Sequence, residues 1–496
     1  MGTTLIRERG GRSAPPLTGA AAVPPPFELD VLRFCLCALV ILGVSRIHQR
    51  YAFLAVLRPG MLLAAIGLAA AFFSPRALAD KSWMRSWPAK VVAGLTVATL
   101  GSIAFGISQG GAFYYFLEYY SKVMVVAFLM MAAIRHARDL RLFVWAYVIG
   151  TAILVWMALF VFEMRMENNG VTRLGNLDTW DANDICVLMM IGLAFCLLLI
   201  RTSRPTGKVV ATIVLIGIGA AIARSGSRGG FLGFACVALM YLFSLKGTSV
   251  ARRLAMVAGI LIGLTIAAPQ GYWKQMNTLT SAEQDYNWDA ESGRRKLAIN
   301  GMQYMMRYPI FGIGIDQFGR AEGSISERAR RWDPSKEGIK ESTAHNSYVQ
   351  AASELGIPGL VLFTTLVFGS IIVPWRLRRR IPPGWEKGTW EQQFLFQMAL
   401  YLPLASLGFA VTAFFVSFAY QDPVYMLGAM TGALVASVNA GLRLAPGVPA
   451  PIAGTARPGR RGPPRFRGGM GSRGTRYPGV GGGDALRPTS PESPPK

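Results

Sequence analysis

A histidine at the start of an apolar run carries the clearest chemical signal in the sequence, within Ser342-Thr343-Ala344-His345-Asn346-Ser347-Tyr348. His345 is one of three histidines among 496 residues. Its imidazole titrates near neutral pH, so it can orient a hydroxyl group or accept its proton. Asn346, Gln350 and Glu354 follow at four-residue spacing, which places them along one face of a helix. This pattern fits either a polar anchor at a membrane surface or the wall of a cleft that binds an acceptor.

Arginine residues are frequent in the segments that precede this motif. A guanidinium group is permanently charged and pairs with two phosphate oxygens at once. The glycine-rich turn 224–230, Arg-Ser-Gly-Ser-Arg-Gly-Gly, also offers backbone N–H groups to an anion. The other arginines of this set are Arg165, Arg173, Arg294, Arg295, Arg307, Arg320, Arg328, Arg330 and Arg331. A histidine beside several arginines predicts chemistry on a phosphate-linked substrate.

The residue types also predict a separate chemical role for the arginines and for the histidine. A phosphate-linked group is already a good leaving group, so the main requirement is to stabilise the charge that builds on it. The residues predicted to bind the phosphates of this substrate are Arg228, Arg294, Arg173 and Arg295. His345 is predicted to be the catalytic residue and to act on the acceptor hydroxyl group. The predicted supporting residues are Ser227, Asn346, Glu354 and Glu118.

Two of these predictions have alternatives. Glu118 lies among tyrosines, where it can contact a sugar or His345, or pair with Lys122 four residues later. Acidic residues could hold Mg²⁺ together with the substrate phosphates; they are Asp178, Asp181, Asp184, Glu283, Asp285, Asp289 and Glu291. Because arginines already supply the positive charge, we predict no metal and no cofactor. Gly312-x-Gly314 is not a dinucleotide-binding loop, since no strand precedes it.

The composition identifies the elements that must position these residues. The chain is 52% hydrophobic and 16% charged, with a mean hydropathy of +0.36, whereas soluble proteins carry about 25% charged residues. Runs long enough to cross a bilayer recur along the chain, at 30–44, 52–73, 90–108, 113–134, 142–162, 183–200, 208–223, 229–245, 254–268, 356–374, 394–417 and 423–442. We predict an all-α polytopic membrane protein with about twelve transmembrane helices.

The predicted organisation has five parts. A cytoplasmic arm (1–29) precedes nine helices (30–268) and a large helical loop (269–344), with helices expected at 296–308 and 321–331. The histidine helix and three further spans follow (345–442). A basic tail rich in proline and glycine (443–496) is predicted to be disordered.

Loop charge predicts the orientation in the membrane. Basic residues crowd alternate loops, and such loops are cytoplasmic. Both termini are then inside, and 45–51, 109–112, 163–182, 224–228, 269–344 and 419–422 are outside. Much of the net charge of +24 therefore reflects topology, and no nucleic-acid partner is predicted. The five cysteines lie in or near apolar spans, and none is placed to form an external disulfide bond.

Three motifs, taken with their order, resemble the family of O-antigen ligases and related polymerases. The first is the turn Ser225-Gly226-Ser227-Arg228-Gly229-Gly230 at the start of a span. The second is Arg294 followed by Pro309-Ile310-Phe311-Gly312-Ile313-Gly314. The third is His345-Asn346-Ser347-Tyr348-x5-Glu354-Leu355-Gly356-Ile357-Pro358-Gly359-Leu360.

The resemblance implies a GT-C-like, inverting and metal-independent glycosyltransferase in the bacterial inner membrane, with a periplasmic active site. Its donor would be a glycan on undecaprenyl diphosphate. The acceptor would be lipid A–core oligosaccharide in a ligase, another lipid-linked glycan in a polymerase, or a protein hydroxyl group in a third branch. A transporter of lipid-linked sugar is an alternative, but it predicts paired repeats, which the sequence lacks. A membrane scaffold would leave the external arginines and His345 unexplained.

Overall fold

A computed structural model describes residues 30–73, 81–166, 170–175, 180–245, 247–279, 293–331 and 342–443. The predictions for the arm 1–29 and for the tail beyond 443 lie outside these ranges. So do Asp178, Glu283, Asp285, Asp289 and Glu291. Within the described ranges the chain is almost entirely helical, as the all-α prediction requires.

Up to residue 202, the described residues form nine α-helices and a short hairpin. The helices are α1 (Val31–Ser45), α2 (Ile47–Arg50), α3 (Ala52–Val56), α4 (Pro59–Phe73), α5 (Trp87–Phe105), α6 (Gln109–Tyr115), α7 (Ser121–Ala133), α8 (Ala137–Phe160) and α9 (Ala182–Thr202). A 3₁₀ turn (Ser82–Arg85) precedes α5, and a π-helical turn (Phe116–Tyr120) joins α6 to α7. Strands β1 (Met164–Met166) and β2 (Thr172–Leu174) pair antiparallel. This hairpin is the one departure from an all-α fold in the described residues.

From residue 205 to residue 443, the described ranges contain ten further α-helices. They are α10 (Pro205–Ser225), α11 (Arg228–Ser244), α12 (Val250–Ala267), α13 (Tyr272–Asn277), α14 (Arg294–Arg307), α15 (Phe318–Ser324), α16 (Glu327–Arg330), α17 (Ser347–Arg378), α18 (Trp390–Thr412) and α19 (Asp422–Arg443). Two 3₁₀ turns, Pro383–Lys387 and Ala413–Phe415, flank α18. The helix predicted at 321–331 is two short helices, α15 and α16, which begin three residues earlier.

The number and composition of the long helices identify a multi-pass membrane protein. In the described ranges, 10 helices are long and apolar enough to cross a bilayer. Two shorter apolar helices, α1 and α11, occupy two further predicted spans. Each of the predicted twelve runs therefore corresponds to a helix, while the count of transmembrane crossings stays a prediction.

Helix α9 lies at the centre of the bundle. It is apolar on all sides, and its residues from Ile185 to Leu199 are almost all buried. It packs against α18, α10 and α11, while α1 packs against α8 and α4. By contrast, α12 and the α3–α4 segment bury few residues. Their exposed apolar side chains are what a lipid-facing helix requires.

Connections that the charge pattern predicts to be external contact one another at one end of the bundle. The N–H of Ile107 donates to the carbonyl of Ile313 at 2.9 Å, and the N–H of Thr172 donates to the carbonyl of Gln270 at 3.2 Å. Loops from different parts of the sequence thus gather where the arginines and His345 lie. We call this the site end of the bundle.

Helix α17 contains both the histidine motif and the tenth predicted span. The sequence predicts a break between them, and the structure has one at Gly356, where φ is 70° and ψ is −165°. An L-residue with a side chain rarely adopts this conformation. The chain resumes its helix at once, because Pro358 is accommodated in the first turn after the break.

Candidate functional site

The glycine-rich turn between α10 and α11 is built on the start of α9. Ser227 caps α11, accepting from the N–H of Gly230 at 2.9 Å, and its hydroxyl donates to Asn183 Oδ1 at 2.7 Å. Gly226 has a φ of 60°, which allows the chain to reverse without strain. Ser227 is 1% exposed, so its position in the structure is that of a buried support for the turn.

Arg228 and Arg173 lie on two sides of this turn. Arg228 donates from a guanidinium nitrogen to Thr278 Oγ1 at 2.8 Å. A Cβ at Gly226 would lie 3.0 Å from Cβ of Arg173. Arg173 itself is opposite Arg165 in the β1–β2 hairpin. Like charges placed opposite each other are unfavourable, so this arrangement suits a site that receives an anion.

Phe415 connects the turn to the large loop. A Cβ at Gly229 would lie 2.6 Å from the Phe415 ring, so the ring packs directly on the start of α11. The Arg294 guanidinium lies 5.8 Å from the centre of the same ring, within the range of a cation–π contact. The Phe415 ring therefore contacts both Arg294 and Gly229, the residue that follows Arg228. Arg295 is exposed and lies on the outside of α14.

His345 joins the same group of residues through the segment that follows Phe415. Its backbone N–H donates to Ser417 Oγ at 3.0 Å. Its Nε2 lies 3.3 Å from Thr343 Oγ1. The His345 backbone has a φ of 47°, a left-handed conformation that histidine tolerates better than bulkier residues do. The imidazole is partly exposed, so a substrate can approach it.

The segment 416–419 is fastened to the first turns of α17. Ser347 Oγ donates to the carbonyl of Val416 at 2.8 Å and accepts from the N–H of Phe418 at 2.9 Å. Gln350 Oε1 accepts from the N–H of Ala419 at 3.2 Å. These bonds satisfy buried backbone groups that would otherwise destabilise the fold.

The polar side chains at the start of α17 therefore form hydrogen bonds with backbone groups of the protein itself. Asn346 is the N-cap of the helix, accepting from Tyr348 and Val349 at 2.9 and 3.1 Å. Gln350 and Glu354 are 6% and 1% exposed. Gln350 and Glu354 contact neighbouring loops instead of open space, so of the two interpretations of this pattern their positions do not favour the wall of a cleft.

Glu354 fixes the loop that contains the second motif. Its two carboxylate oxygens accept from the N–H groups of Asp316 at 2.9 Å and Phe318 at 3.1 Å. Burial and the Glu354 carboxylate raise the pKa of Tyr420 well above its usual value. Glu354 thus holds the backbone of the loop at Asp316 and Phe318.

The second and third motifs pair with each other through backbone bonds. Ile313 and Gly314 donate to the carbonyls of Ser353 and Glu354, at 2.9 and 3.1 Å. Gly312 has a φ of 68°, and a Cβ there would lie 2.3 Å from the Glu354 carbonyl carbon. These glycines are needed for close approach of two chains, which explains why Gly312-x-Gly314 resembles a nucleotide-binding loop without being one.

Three of the predicted site residues lie in a stretch of sequence that matches a known family. Residues 212–364 match the O-antigen ligase family model, Wzy_C. This match confirms the resemblance that the three motifs indicated. No curated protein matches the chain. The O-antigen ligase match contains Arg228, Arg294 and His345, while Arg173 and the segment 415–418 lie outside it.

An apolar groove opens at the site end, lined by residues outside the matched range 212–364. It has a volume of about 600 Å³ and runs between α1, α4, α7 and α19. Arg46 lies at its polar end, with its guanidinium 4.7 Å from the centre of the Trp180 ring. Trp180 in turn packs on Phe418 at 5.2 Å between ring centres. The groove therefore ends next to the segment that holds His345.

Two polar atoms at the end of the groove lack partners. Arg46 Nε and His48 Nδ1 are buried, with no hydrogen-bond partner among the described residues. Burial and the charge of Arg46 lower the pKa of His48. Two unsatisfied nitrogens lining one cavity indicate that a polar group of a ligand belongs there.

Glu118 pairs with Lys122 and not with the histidine. Its carboxylate lies 3.1 Å from Lys122 Nζ, and both side chains are largely exposed. Of the two alternatives for Glu118, the structure supports the i, i+4 pair. Asp181 and Asp184 form the capping box of α9, so their carboxylates are engaged by backbone N–H groups.

The structure thus places the backbone positions of Arg173, Arg228, Arg294 and His345 at the site end through their contacts with the glycine-rich turn and the segment 415–417, and it leaves Arg295 and Glu118 at the surface. Sequence reasoning missed Phe415 and Ser417, which join them. It also missed Arg46 and Trp180 at the groove. An arginine in a short connection between apolar spans was the available signal for Arg46, whereas nothing local distinguishes Ser417 from other serines.

Proposed function

We propose that this chain is an inner-membrane glycosyltransferase of the O-antigen ligase type. It transfers a glycan from undecaprenyl diphosphate to lipid A–core oligosaccharide at the periplasmic face. The observation that carries this proposal is the meeting of Arg228, Arg294 and His345 around the segment 415–418. Two guanidinium groups and one imidazole are what transfer from a diphosphate to a hydroxyl group requires.

In the proposed reaction the acceptor hydroxyl oxygen attacks the anomeric carbon of the donor sugar. It approaches from the side opposite the diphosphate, so the configuration inverts. The bond between the anomeric carbon and the phosphate oxygen breaks, and undecaprenyl diphosphate leaves with the electron pair. His345 accepts the hydroxyl proton. Arg228, Arg294 and the nearby Arg173 neutralise the charge that develops on the leaving group.

The groove between α1, α4, α7 and α19 supports a lipid-linked donor. Its walls are mainly apolar, and its polar end at Arg46 contacts Trp180, which packs on Phe418. A volume of about 600 Å³ suits a single chain segment. We assign it to the part of the isoprenoid chain closest to the diphosphate, with Arg46 and His48 facing the phosphates.

The same chemistry would serve another glycan or a protein hydroxyl group as acceptor. The test is therefore reconstitution of the purified protein in proteoliposomes with an undecaprenyl-diphosphate glycan. Lipid A–core, a second lipid-linked repeat and a serine-containing peptide are offered in parallel. We expect transfer to lipid A–core, and we expect it to persist in EDTA.

Each alternative gives a different result in this experiment. Transfer only to the lipid-linked repeat would identify a polymerase, and transfer only to the peptide would identify a protein glycosyltransferase. Movement of the donor across the bilayer without transfer would identify a transporter. Loss of activity in EDTA that Mg²⁺ or Mn²⁺ restores would refute the arginine-only mechanism.

A further inference from the structure

A second pocket lies at the end of the bundle opposite the site end. Helix α9 begins beside Ser227, through Asn183, and ends at Thr202. Its 21 residues span about 30 Å at 1.5 Å per residue. The pocket has a volume of about 640 Å³, and its main lining residues are Arg138, Arg141, Trp145, Ser203, Arg204 and Trp390. It is therefore separate from the proposed catalytic site.

Two buried hydrogen-bonding groups line this pocket without a partner. Ser203 is 8% exposed, and its Oγ has no hydrogen-bond partner in the described part of the chain. The indole Nε1 of Trp390 is likewise buried and unsatisfied there. Buried polar groups are nearly always hydrogen-bonded, so an unsatisfied pair facing one cavity indicates a ligand with acceptor atoms.

The charges around the pocket select an anion. Three arginines line it, and one of them, Arg138, has its Nε 3.5 Å from a carboxylate oxygen of Glu391. The Arg141 guanidinium lies 5.1 Å from the centre of the Trp390 ring. Arg204 is exposed at the rim. The positive charge of these side chains exceeds the single negative charge of Glu391.

The start of α10 adds backbone donors to the same place. Arg204 and Pro205 begin this helix, whose first N–H groups have no partner within the helix. A Cβ at Gly207 would lie 2.9 Å from Cβ of Ser203 and 3.1 Å from the Trp145 ring. The first turn of α10 is therefore packed against the pocket wall, where the positive end of the helix dipole favours an anion.

The remaining walls favour a lipid phosphate over a free phosphate ion. Leu142, Trp145 and Trp390 make most of the lining apolar. The pocket lies where the candidate spans α8, α9, α10 and α18 begin or end, and tryptophan is enriched at that level of a bilayer. Basic pockets between transmembrane helices bind anionic headgroups. We propose that this pocket binds the phosphate of an anionic phospholipid, with its acyl chains extending along the bundle.

Native mass spectrometry of the full-length protein in detergent tests this site. Phosphatidylglycerol and phosphatidylethanolamine with identical acyl chains are titrated separately, and inorganic phosphate is added as a competitor. We expect phosphatidylglycerol to bind with at least about tenfold higher affinity. The double variant Arg141→Gln/Arg204→Gln should lose about tenfold in affinity. The matched control is Arg85→Gln/Arg252→Gln, which removes two exposed arginines outside the pocket and should bind like the wild type.

Ser203→Ala provides a second, milder variant. It removes one oxygen atom without changing charge, and we expect phosphatidylglycerol affinity to fall roughly two- to tenfold. If the double variant does not fold, the phosphatidylglycerol affinity of Ser203→Ala tests the proposal alone. Equal affinity for the two lipids, or unchanged binding in the pocket variants, would overturn the proposal. Displacement of the lipid by an equal concentration of inorganic phosphate would also overturn it, because the pocket would then bind a free anion.

Discussion

The backbone N–H of His345 donates to the hydroxyl oxygen of Ser417 at 3.0 Å, joining residues that are 72 positions apart. This bond fixes the left-handed turn that presents the imidazole. It also links His345 to the connection between α18 and α19. In that connection Phe415 contacts both the glycine-rich turn and Arg294. The relative position of histidine and arginines therefore depends on one short loop between α18 and α19.

Removing the Ser417 hydroxyl group should impair transfer without abolishing it. A hydrogen bond of this kind contributes about 0.5–1.5 kcal/mol, so we expect Ser417→Ala to lower kcat roughly two- to tenfold. The donor KM should stay near the wild-type value, because the arginines are untouched. Ser324→Ala, which removes an exposed hydroxyl group on α15, is the control. Wild-type kcat in Ser417→Ala would show that the loop does not position His345.

Arg228 and Arg294 should be needed for turnover because they stabilise the leaving diphosphate. Alanine at either position should lower kcat/KM by about 10²–10³. Lysine keeps the charge but loses the paired geometry of guanidinium, so it should restore only part of the activity. Arg295→Ala should have a much smaller effect, since that side chain is exposed on α14. Arg331→Ala is the surface control, and full activity of Arg228→Ala at normal membrane levels would remove that residue from the mechanism.

His345→Ala should retain donor binding while losing nearly all transfer, because the imidazole is proposed to act on the acceptor. His345→Gln keeps a hydrogen-bonding group and should retain slightly more activity. Donor affinity and single-turnover rate are measured on the same purified variant. If His345 only anchors the helix, the variant will show reduced protein levels and a normal rate per folded molecule.

Glu354→Ala should lower stability more than it alters the chemistry. It would leave the N–H groups of Asp316 and Phe318 buried without an acceptor, at a cost of about 1–3 kcal/mol each. We expect a clearly lower Tm for Glu354→Ala in detergent. The Tm of Glu354→Gln should lie between those of Glu354→Ala and the wild type. A wild-type Tm combined with loss of transfer in Glu354→Ala would instead indicate a direct role in the reaction.

Thiol labelling should determine which side of the membrane the site end faces. Positive-inside orientation predicts that a cysteine at Ser324 reacts with an impermeant reagent in intact spheroplasts. A cysteine at Lys387, in the connection before α18, should react only after lysis. Both positions are exposed. The experiment uses a background without the native cysteines, and the reverse labelling pattern would place the proposed active site in the cytoplasm.

The sequence by itself predicted the membrane class, the positions of the long helices and four of the residues at the site end, namely Arg173, Arg228, Arg294 and His345. These features depend on local composition. A long apolar run is stable only when it is removed from water. Guanidinium and imidazole groups near a membrane are costly unless they face a cavity or a partner. The close approach of Gly312 to the backbone of Glu354 could not be predicted in this way. It depends on two backbones approaching too closely for a side chain, which only the packed fold reveals.

The tertiary structure decided what the polar residues do. Asn346, Gln350 and Glu354 recur at four-residue spacing, as one face of a helix requires. In the structure their side chains accept hydrogen bonds from backbone N–H groups of the protein itself. Conversely, Ser417 and Arg46 gain their importance from contacts with residues far away in sequence. Spacing along a helix determines which side chains share a direction, whereas the elements packed against that direction decide whether they meet substrate, solvent or the protein itself.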